Sequence, residues 1–173
     1  MSVGVYSPEL FDVIISKPSL GLSHVVTGYA QGSGVTLAPL SDRQSAYFSV
    51  KGEFSVNRHA VKAYTLTVHL AQTSRSNDIF LGLHNKLREY LVDPTFEVTL
   101  VDRVSGTTRM FEPNAILTTE AEWSIADEIG TRDWAIILPK PSGTVGGSGS
   151  FSVADATAFE QVGGTVPEGF RTK

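Results

Sequence analysis

The sequence predicts a mainly β protein, an antiparallel β-sandwich or barrel with one flanking α-helix. Three observations lead to that prediction: short segments alternate apolar and polar residues, turn residues separate them, and one stretch repeats its apolar residues at helical spacing. The 173 residues suffice for one domain, and 41% hydrophobic residues suffice to fill its core. One helix laid across a sheet is the architecture we expect.

In chain order, the first strand candidates are residues 11–16, 23–30, 35–40, 46–50 and 53–58, whose alternation is weak. Residues 63–71 alternate most clearly, with an apolar set on one side and Thr65, Thr67 and His69 on the other. That pattern is typical of an antiparallel strand with one buried face and one wet face.

A helix is expected at residues 77–91, because apolar residues recur there at spacings of three and four. They are Ile79, Phe80, Leu83, Leu87, Tyr90 and Leu91. We expect Ser76 to cap the N-terminus and Asp78 to place favourable charge in the first turn. Pro94 prevents the helix from continuing.

Beyond the helix, residues 95–102 alternate again and lead into a hairpin turn at 103–107 and a returning strand at 108–111. Further strands are expected at 115–125 and 133–138. Nine of the twelve residues at 139–150 are Pro, Gly or Ser, which is typical of a flexible connector. We therefore expect a β domain at 1–138, a connector at 139–150 and a C-terminal arm or extension at 151–173.

Composition argues against several classes of function. The chain has no cysteine, so disulfides, thiolate metal sites and cysteine nucleophiles are excluded. A net charge of -4 argues against tight binding of nucleic acid. Neither a nucleophile elbow, a phosphate loop nor a signal or membrane-spanning segment is found, so we expect a soluble non-enzyme without cofactor, metal or membrane contact. The histidines lack the spacing of metal ligands: His24, His59, His69 and His84.

The wet faces of the predicted strands carry hydroxyls and carboxylates but little positive charge. Such a surface would not hold phosphates, so it would suit the wall of a channel through which DNA passes without specific binding. The residues expected on that wall are Thr65, Thr67, His69, Thr95, Glu97, Thr99, Thr118, Glu120 and Glu122.

Five short motifs occur in order along residues 3–140. They are Tyr-Ser-Pro-Glu-Leu at 6–10, Gly-Tyr-Ala at 28–30, Thr-Ser-Arg-Ser-Asn-Asp at 73–78, Leu-His at 83–84 and Thr-Arg-Asp-Trp at 131–134. In order and spacing they resemble the tail tube proteins of contractile-tailed phages (myoviruses), known in part from Pseudomonas phages. Residues 139–173 extend beyond the point where that family's pattern ends.

The resemblance implies a fold shared with the tubes of type VI secretion and contractile injection machines. It implies a structural protein of the virion tail tube, assembled in the host bacterial cytoplasm, whose hexameric rings stack into a hollow conduit for DNA ejection. The implied partners are further copies of the chain and the tail sheath, tape measure, baseplate and neck proteins. By analogy, segment 41–59 would hold an inter-ring contact hairpin with four charged residues: Arg43, Lys51, Glu53 and Arg58.

The residues leave other functions open. The inner tube of a bacteriocin or secretion machine would have similar chemistry. A carbohydrate-binding β-sandwich would need Trp123 or Trp134 exposed, although their register with aliphatic neighbours predicts both in the core. A glycosidase could use Glu120 and Glu122 as acid and base, although such a pair more often decorates a solvated strand face.

Overall fold

The computed structural model describes residues 11–103, 107–147 and 151–166 of the chain. The motif at 6–10, the centre of the predicted hairpin turn at 104–106 and the end of the predicted arm at 167–173 lie outside the described residues. The chain divides into two units. The first comprises the described parts of Met1–Val26, Val98–Phe111 and Ser142–Lys173, and the second comprises Thr27–Glu97 and Glu112–Pro141.

The first unit is built on the strand order β2-β1-β7-β8, with β10 paired to the start of β8. Its elements are β1 Phe11–Lys17, β2 Leu22–Val25, most of β7 Phe96–Asp102, the start of β8 Arg109–Thr119, β10 Ser142–Thr144 and helix α2 Val153–Gln161. The β1–β2 and β8–β10 pairings are antiparallel. Apolar residues on alternate strand positions form its buried set, which includes Val13, Ile15, Leu100 and Met110.

The second unit has the strand order β8-β9-β6-β3 and a separate two-stranded sheet, β4-β5. Its elements are β3 Val35–Pro39, β4 Gln44–Phe48, β5 Phe54–Arg58, β6 Tyr64–Ala71, helix α1 Ser76–Leu87, the remainder of β8 and β9 Thr131–Leu138. Strand β6 lies between β3 and β9, antiparallel to both. Its Leu66, Val68 and Leu70 are fully buried, and Phe80 of α1 stacks on Trp134 with ring centroids 5.3 Å apart.

The prediction of a mainly β, antiparallel fold is confirmed, but the predicted helix is too long. Helix α1 ends at Leu87, and Tyr90 and Leu91 are 100% and 94% exposed instead of lying on its apolar face. The hydrogen bonds tighten beyond that point, because Glu89 N–H donates to the Lys86 carbonyl only three residues back. Proline at 94 also favours extended backbone before it.

Strand β8 joins two predicted strands into one and ends six residues early. It runs through Pro113 and stops at Thr119, whereas separate strands were predicted at 108–111 and 115–125. The β10 register covers residues 109–111 and the β9 register begins at Ile116. Because Pro113 lies between those registers, its missing N–H removes no bond from either of them.

Regular structure also occurs where a connector and an arm were predicted. Strand β10 lies inside 139–150, where the Thr144 hydroxyl donates to the Thr107 carbonyl at 2.8 Å. Helix α2 lies inside 151–173 and is capped by Ser152, whose Oγ accepts from Asp155 N–H at 3.2 Å. The connector is thus not uniformly flexible, while the division at residues 138 and 150 stays a prediction.

In the portion of the chain that the structure describes, neither helix has the length and apolar character needed to cross a membrane.

Candidate functional site

Strands β4 and β5 form a ribbon that pairs with no other strand of the described chain. Its register sets Ala46 opposite Val56 and Phe48 opposite Phe54, so these four side chains share one face. The two phenyl rings lie 5.3 Å apart, and their side chains are 67% and 61% exposed. An isolated two-stranded ribbon is only marginally stable in water, so its uncovered apolar face indicates a contact surface.

The four charged residues predicted for a contact hairpin lie at the two ends of this ribbon, and all are exposed. Arg43 donates to the Tyr64 hydroxyl and lies over that ring. Lys51 occupies the turn, Glu53 N–H donates to a serine hydroxyl across the same turn at 3.1 Å, and Arg58 lies opposite Gln44 at the open end of the ribbon.

Sequence reasoning missed the apolar face itself. The signal was present, because Ala46 and Phe48 alternate with polar residues in one candidate strand and Phe54 and Val56 do so in the next.

A chain of hydrogen bonds crosses the outer face of β3, β6 and β9. The Thr36 hydroxyl is 3.1 Å from Nε2 of His69, and Nδ1 of His69 is 2.7 Å from the Asp133 carboxylate. This order of groups is that of a hydrolase triad, but Thr36 lies within a strand rather than on the sharp strand-to-helix turn that presents such a nucleophile. The bonds tie three neighbouring strands together on their polar face.

The residues predicted to line a channel are distributed over several elements, and none of them is in the buried core. Thr65, Thr67 and His69 lie half-buried on one face of β6. Glu97 and Thr99 lie half-buried on one face of β7, and Thr95 directly precedes that strand and donates to the Asp93 carboxylate. Their exposure is compatible with a channel wall, which stays a prediction.

The remaining three members of that set do not share one strand face. Thr118 is exposed on β8, where its hydroxyl donates to the Ala135 carbonyl at 3.0 Å. Glu120 and Glu122 follow the end of β8 and lie in a loop, so their predicted placement beside Thr118 on a strand is wrong. The strand geometry that a glycosidase pair required is absent for the same reason.

The loop at residues 120–130 carries both acidic residues and exposed apolar side chains, and two hydrogen bonds with Gln72 hold it in place. The exposed side chains of Trp123, Ile125 and Ile129 lie on it. The side-chain amide of Gln72 donates to the Ser124 carbonyl at 3.2 Å and accepts from the backbone N–H of residue 130 at 3.3 Å. The prediction that Trp123 belongs to the core is therefore wrong, and its exposure is what the carbohydrate-binding alternative required of it.

Three of the motifs that carry the family resemblance meet in the second unit. Gly28 has φ +74°, and a Cβ at that position would lie 2.6 Å from the Ser74 hydroxyl. That hydroxyl donates to the Thr27 carbonyl at 2.6 Å and accepts from Ser76 N–H at 3.2 Å. Ser76 is the first residue of the helix, so the prediction that it caps the helix is wrong. Its N–H donates to the Ser74 hydroxyl, and its own Oγ accepts from Thr27 N–H.

Asn77 joins this junction to the third motif. Its side-chain amide donates to the Ala71 carbonyl at 2.9 Å, and its oxygen accepts from Nε1 of Trp134 at 3.0 Å. Trp134 is fully buried, as the sequence predicted. The motif residues of this junction therefore hold the helix against the sheet, which is a structural role.

No three metal-ligating side chains come together in residues 11–103, 107–147 and 151–166.

The chain belongs to a family of phage structural proteins. It is 30% identical over 159 residues to Structural protein ORF10 of Pseudomonas phage KPP10, and the match covers 91% of each protein. This relationship confirms the predicted kinship with phage structural proteins. No protein-family model matches the chain.

One solved structure has a similar fold. The sheath/tube terminator of an extracellular contractile injection system, PVC, in its extended state superposes with a TM-score of 0.54 at 11% identity, covering 82% of this chain and 97% of the terminator. The tube-terminating cap of the anti-feeding prophage gives a TM-score of 0.46 at 12% identity, covering 84% and 97%. At these identities the first likeness concerns the fold alone.

Proposed function

We propose that this protein is an inner-tube subunit of a contractile phage tail, a non-catalytic component that assembles with copies of itself in the virion. The observation that carries the proposal is the uncovered apolar face of the β4–β5 ribbon. Kinship with a phage structural protein and a fold like that of a contractile-machine component support a place in the tail.

Burial of the apolar ribbon face against another copy of the chain would stabilise their association. Full burial of a phenylalanine side chain is worth about 1.5–3 kcal/mol, and Phe48 and Phe54 are each about two-thirds exposed. Covering both would contribute about 2–4 kcal/mol per contact. A ring or tube repeats that contact at every subunit, so a modest contact is sufficient.

In this proposal the polar strand faces line the channel through which DNA passes. The face of β6 with Thr65, Thr67 and His69 presents hydroxyls and an imidazole, and its paired neighbour on β9 adds a carboxylate. Such groups would not neutralise phosphates, so DNA could pass without adhering. Hexameric rings, contact with the sheath, tape measure, baseplate and neck proteins, and passage of DNA all belong to this proposal.

A tube terminator is the second candidate. Its support is the fold likeness to a sheath/tube terminator, which extends over 97% of that chain. A terminator would form one ring at the end of a tube, whereas a tube subunit would form stacks. The inner tube of a bacteriocin or secretion machine would assemble in the same way, and neighbouring capsid and portal genes would distinguish a phage from these.

The test uses the purified full-length chain and its Phe48→Ser/Phe54→Ser variant in sedimentation velocity and negative-stain electron microscopy. The wild type should form rings or hollow tubes, and the variant should sediment as a monomer with an unchanged circular dichroism spectrum. Tyr90→Ser, which removes another exposed aromatic ring, should assemble normally. Long tubes support a tube subunit, single rings support a terminator, and a strictly monomeric wild type contradicts both.

A further inference from the structure

We infer that the acidic loop at residues 120–130 is the surface on which the β4–β5 ribbon of a neighbouring copy docks. The inference rests on the proposed function, because it identifies the partner surface for self-assembly. Both surfaces belong to the second unit, and both leave large apolar side chains in water.

The two surfaces have opposite charge. The ribbon and its flanks, residues 41–62, hold four basic and two acidic residues. The loop holds four acidic residues and no lysine or arginine. The basic residues are Arg43, Lys51, Arg58 and Lys62, and the acidic residues of the loop are Glu120, Glu122, Asp127 and Glu128. Opposite potentials favour this pairing and steer the approach of the two copies.

The apolar groups are also complementary in kind. The ribbon offers Phe48 and Phe54, and the loop offers Trp123, Ile125 and Ile129. An aromatic and aliphatic centre with charged groups around it is the usual anatomy of a protein interface.

Charge also argues against the simplest alternative, two ribbons packed face to face. That arrangement would bring copies of Lys51 and Arg58 near one another and leave like charges facing across the contact. When the ribbon of one copy docks on the loop of the next, two different surfaces of the chain meet, which makes the contact heterologous. Heterologous contacts generate closed rings or open helical filaments.

Both surfaces are ordered before they meet. Gln72 holds the loop at two points, and hydrogen bonds between residues 49 and 53 fix the turn of the ribbon. Surfaces ordered in advance lose less entropy on association than flexible ones.

The test is a charge exchange in the full-length chain. The ribbon variant carries Lys51→Glu and Arg58→Glu, the loop variant carries Glu122→Lys and Asp127→Lys, and the exchange variant carries all four substitutions. Sedimentation velocity measures the concentration at which half of the protein is assembled. Arg88→Glu, an exposed charge outside both surfaces, is the control.

Each single-surface variant should raise the half-assembly concentration at least about tenfold, because like charges then face each other. The exchange variant should return to within about threefold of the wild type, because the charges again match. The emission of Trp123 should shift to the blue when the wild type assembles, and Trp123→Phe should abolish that shift while buried Trp134 still emits.

Two results would overturn the inference and leave the proposed function intact: a wild type that assembles while single-surface variants assemble equally well, or an exchange variant that fails to recover although its circular dichroism spectrum is unchanged. A wild type that never assembles would refute the proposed function itself and this inference with it.

Discussion

The substitution Asn77→Ala tests the junction that joins helix α1 to the sheet. Asn77 is 2% exposed, and its side chain bonds the Ala71 carbonyl and Nε1 of Trp134. Alanine would leave the buried Trp134 N–H without its partner, whereas the half-buried Ala71 carbonyl would keep the bond that it accepts from Ser74 N–H at 2.9 Å. Trp134 itself is fully buried and stacked on Phe80, so its N–H has little access to water.

The cost follows from one buried group left unpaired and one further bond lost. A buried unsatisfied group costs about 1–3 kcal/mol, an ordinary lost hydrogen bond costs about 0.5–1.5 kcal/mol, and alanine recovers about 0.5 kcal/mol through its higher helix propensity. We expect the free energy of unfolding to fall by about 2 kcal/mol, against a total of about 5–15 kcal/mol for a protein of ordinary stability. For a chain of this length the Tm should fall by roughly 4–8 °C.

Urea and thermal unfolding followed by circular dichroism measure this loss. The matched control is Asn85→Ala, which makes the same substitution at an exposed position of the same helix and should change the free energy of unfolding by no more than about 0.5 kcal/mol. If both variants unfold alike, the hydrogen bonds of Asn77 do not stabilise the fold and the structural explanation of the motif at 73–78 is wrong.

Four further predictions concern single sites. Glu112→Gln should cost about 1–3 kcal/mol in urea unfolding, because this buried carboxylate accepts two backbone N–H bonds at 2.9 and 2.7 Å; a cost below about 0.5 kcal/mol would contradict that role. Gly28→Ala should lower stability by more than about 1 kcal/mol because of its positive φ and close neighbour, whereas Gly82→Ala, at an open helical position, should raise it by up to about 1 kcal/mol; equal effects would contradict the argument. Burial lowers the pKa of His24 in the folded chain from its ordinary 6.5, so as the pH falls the unfolded chain binds a proton at this ring before the folded chain does. The free energy of unfolding therefore has its full value above about pH 6.5 and decreases as the pH falls through and below that value. His24→Gln should therefore reduce the fall in Tm between about pH 7.5 and pH 5.5, and an unchanged fall would show that this ring does not contribute. Added saccharides should leave the emission of Trp123 unchanged, and a saturable shift would instead favour a carbohydrate-binding module.

The sequence correctly predicted those elements in which apolar and polar residues alternate along the chain. Residues 63–71 show a period of two over their whole length, and strand β6 occupies nearly all of them. The same reasoning failed where the apolar pattern continues in the sequence beyond the end of the helix or strand. Tyr90 and Leu91 continue the helical spacing past the end of α1, and Trp123 continues the strand alternation past the end of β8.

Long-range contacts explain most of what could not be predicted. Strand β10 is a short Ser-Gly-Thr segment that has no hydrophobic pattern, and the Ser142 hydroxyl also donates to the Phe111 carbonyl across its pairing with β8. In the ribbon, the charged residues were assigned by analogy. The alternation within each strand indicated an apolar side, and the register then showed that Phe48 and Phe54 lie opposite each other on one shared face.

The central claim is that copies of this chain associate through the β4–β5 ribbon. A cryo-electron microscopy reconstruction of the assembled wild-type chain tests it most directly. The account predicts rings or tubes in which Phe48 and Phe54 of each copy are covered by a neighbouring copy. An assembly that leaves both rings in solvent, or a chain that stays monomeric at every concentration, would contradict it.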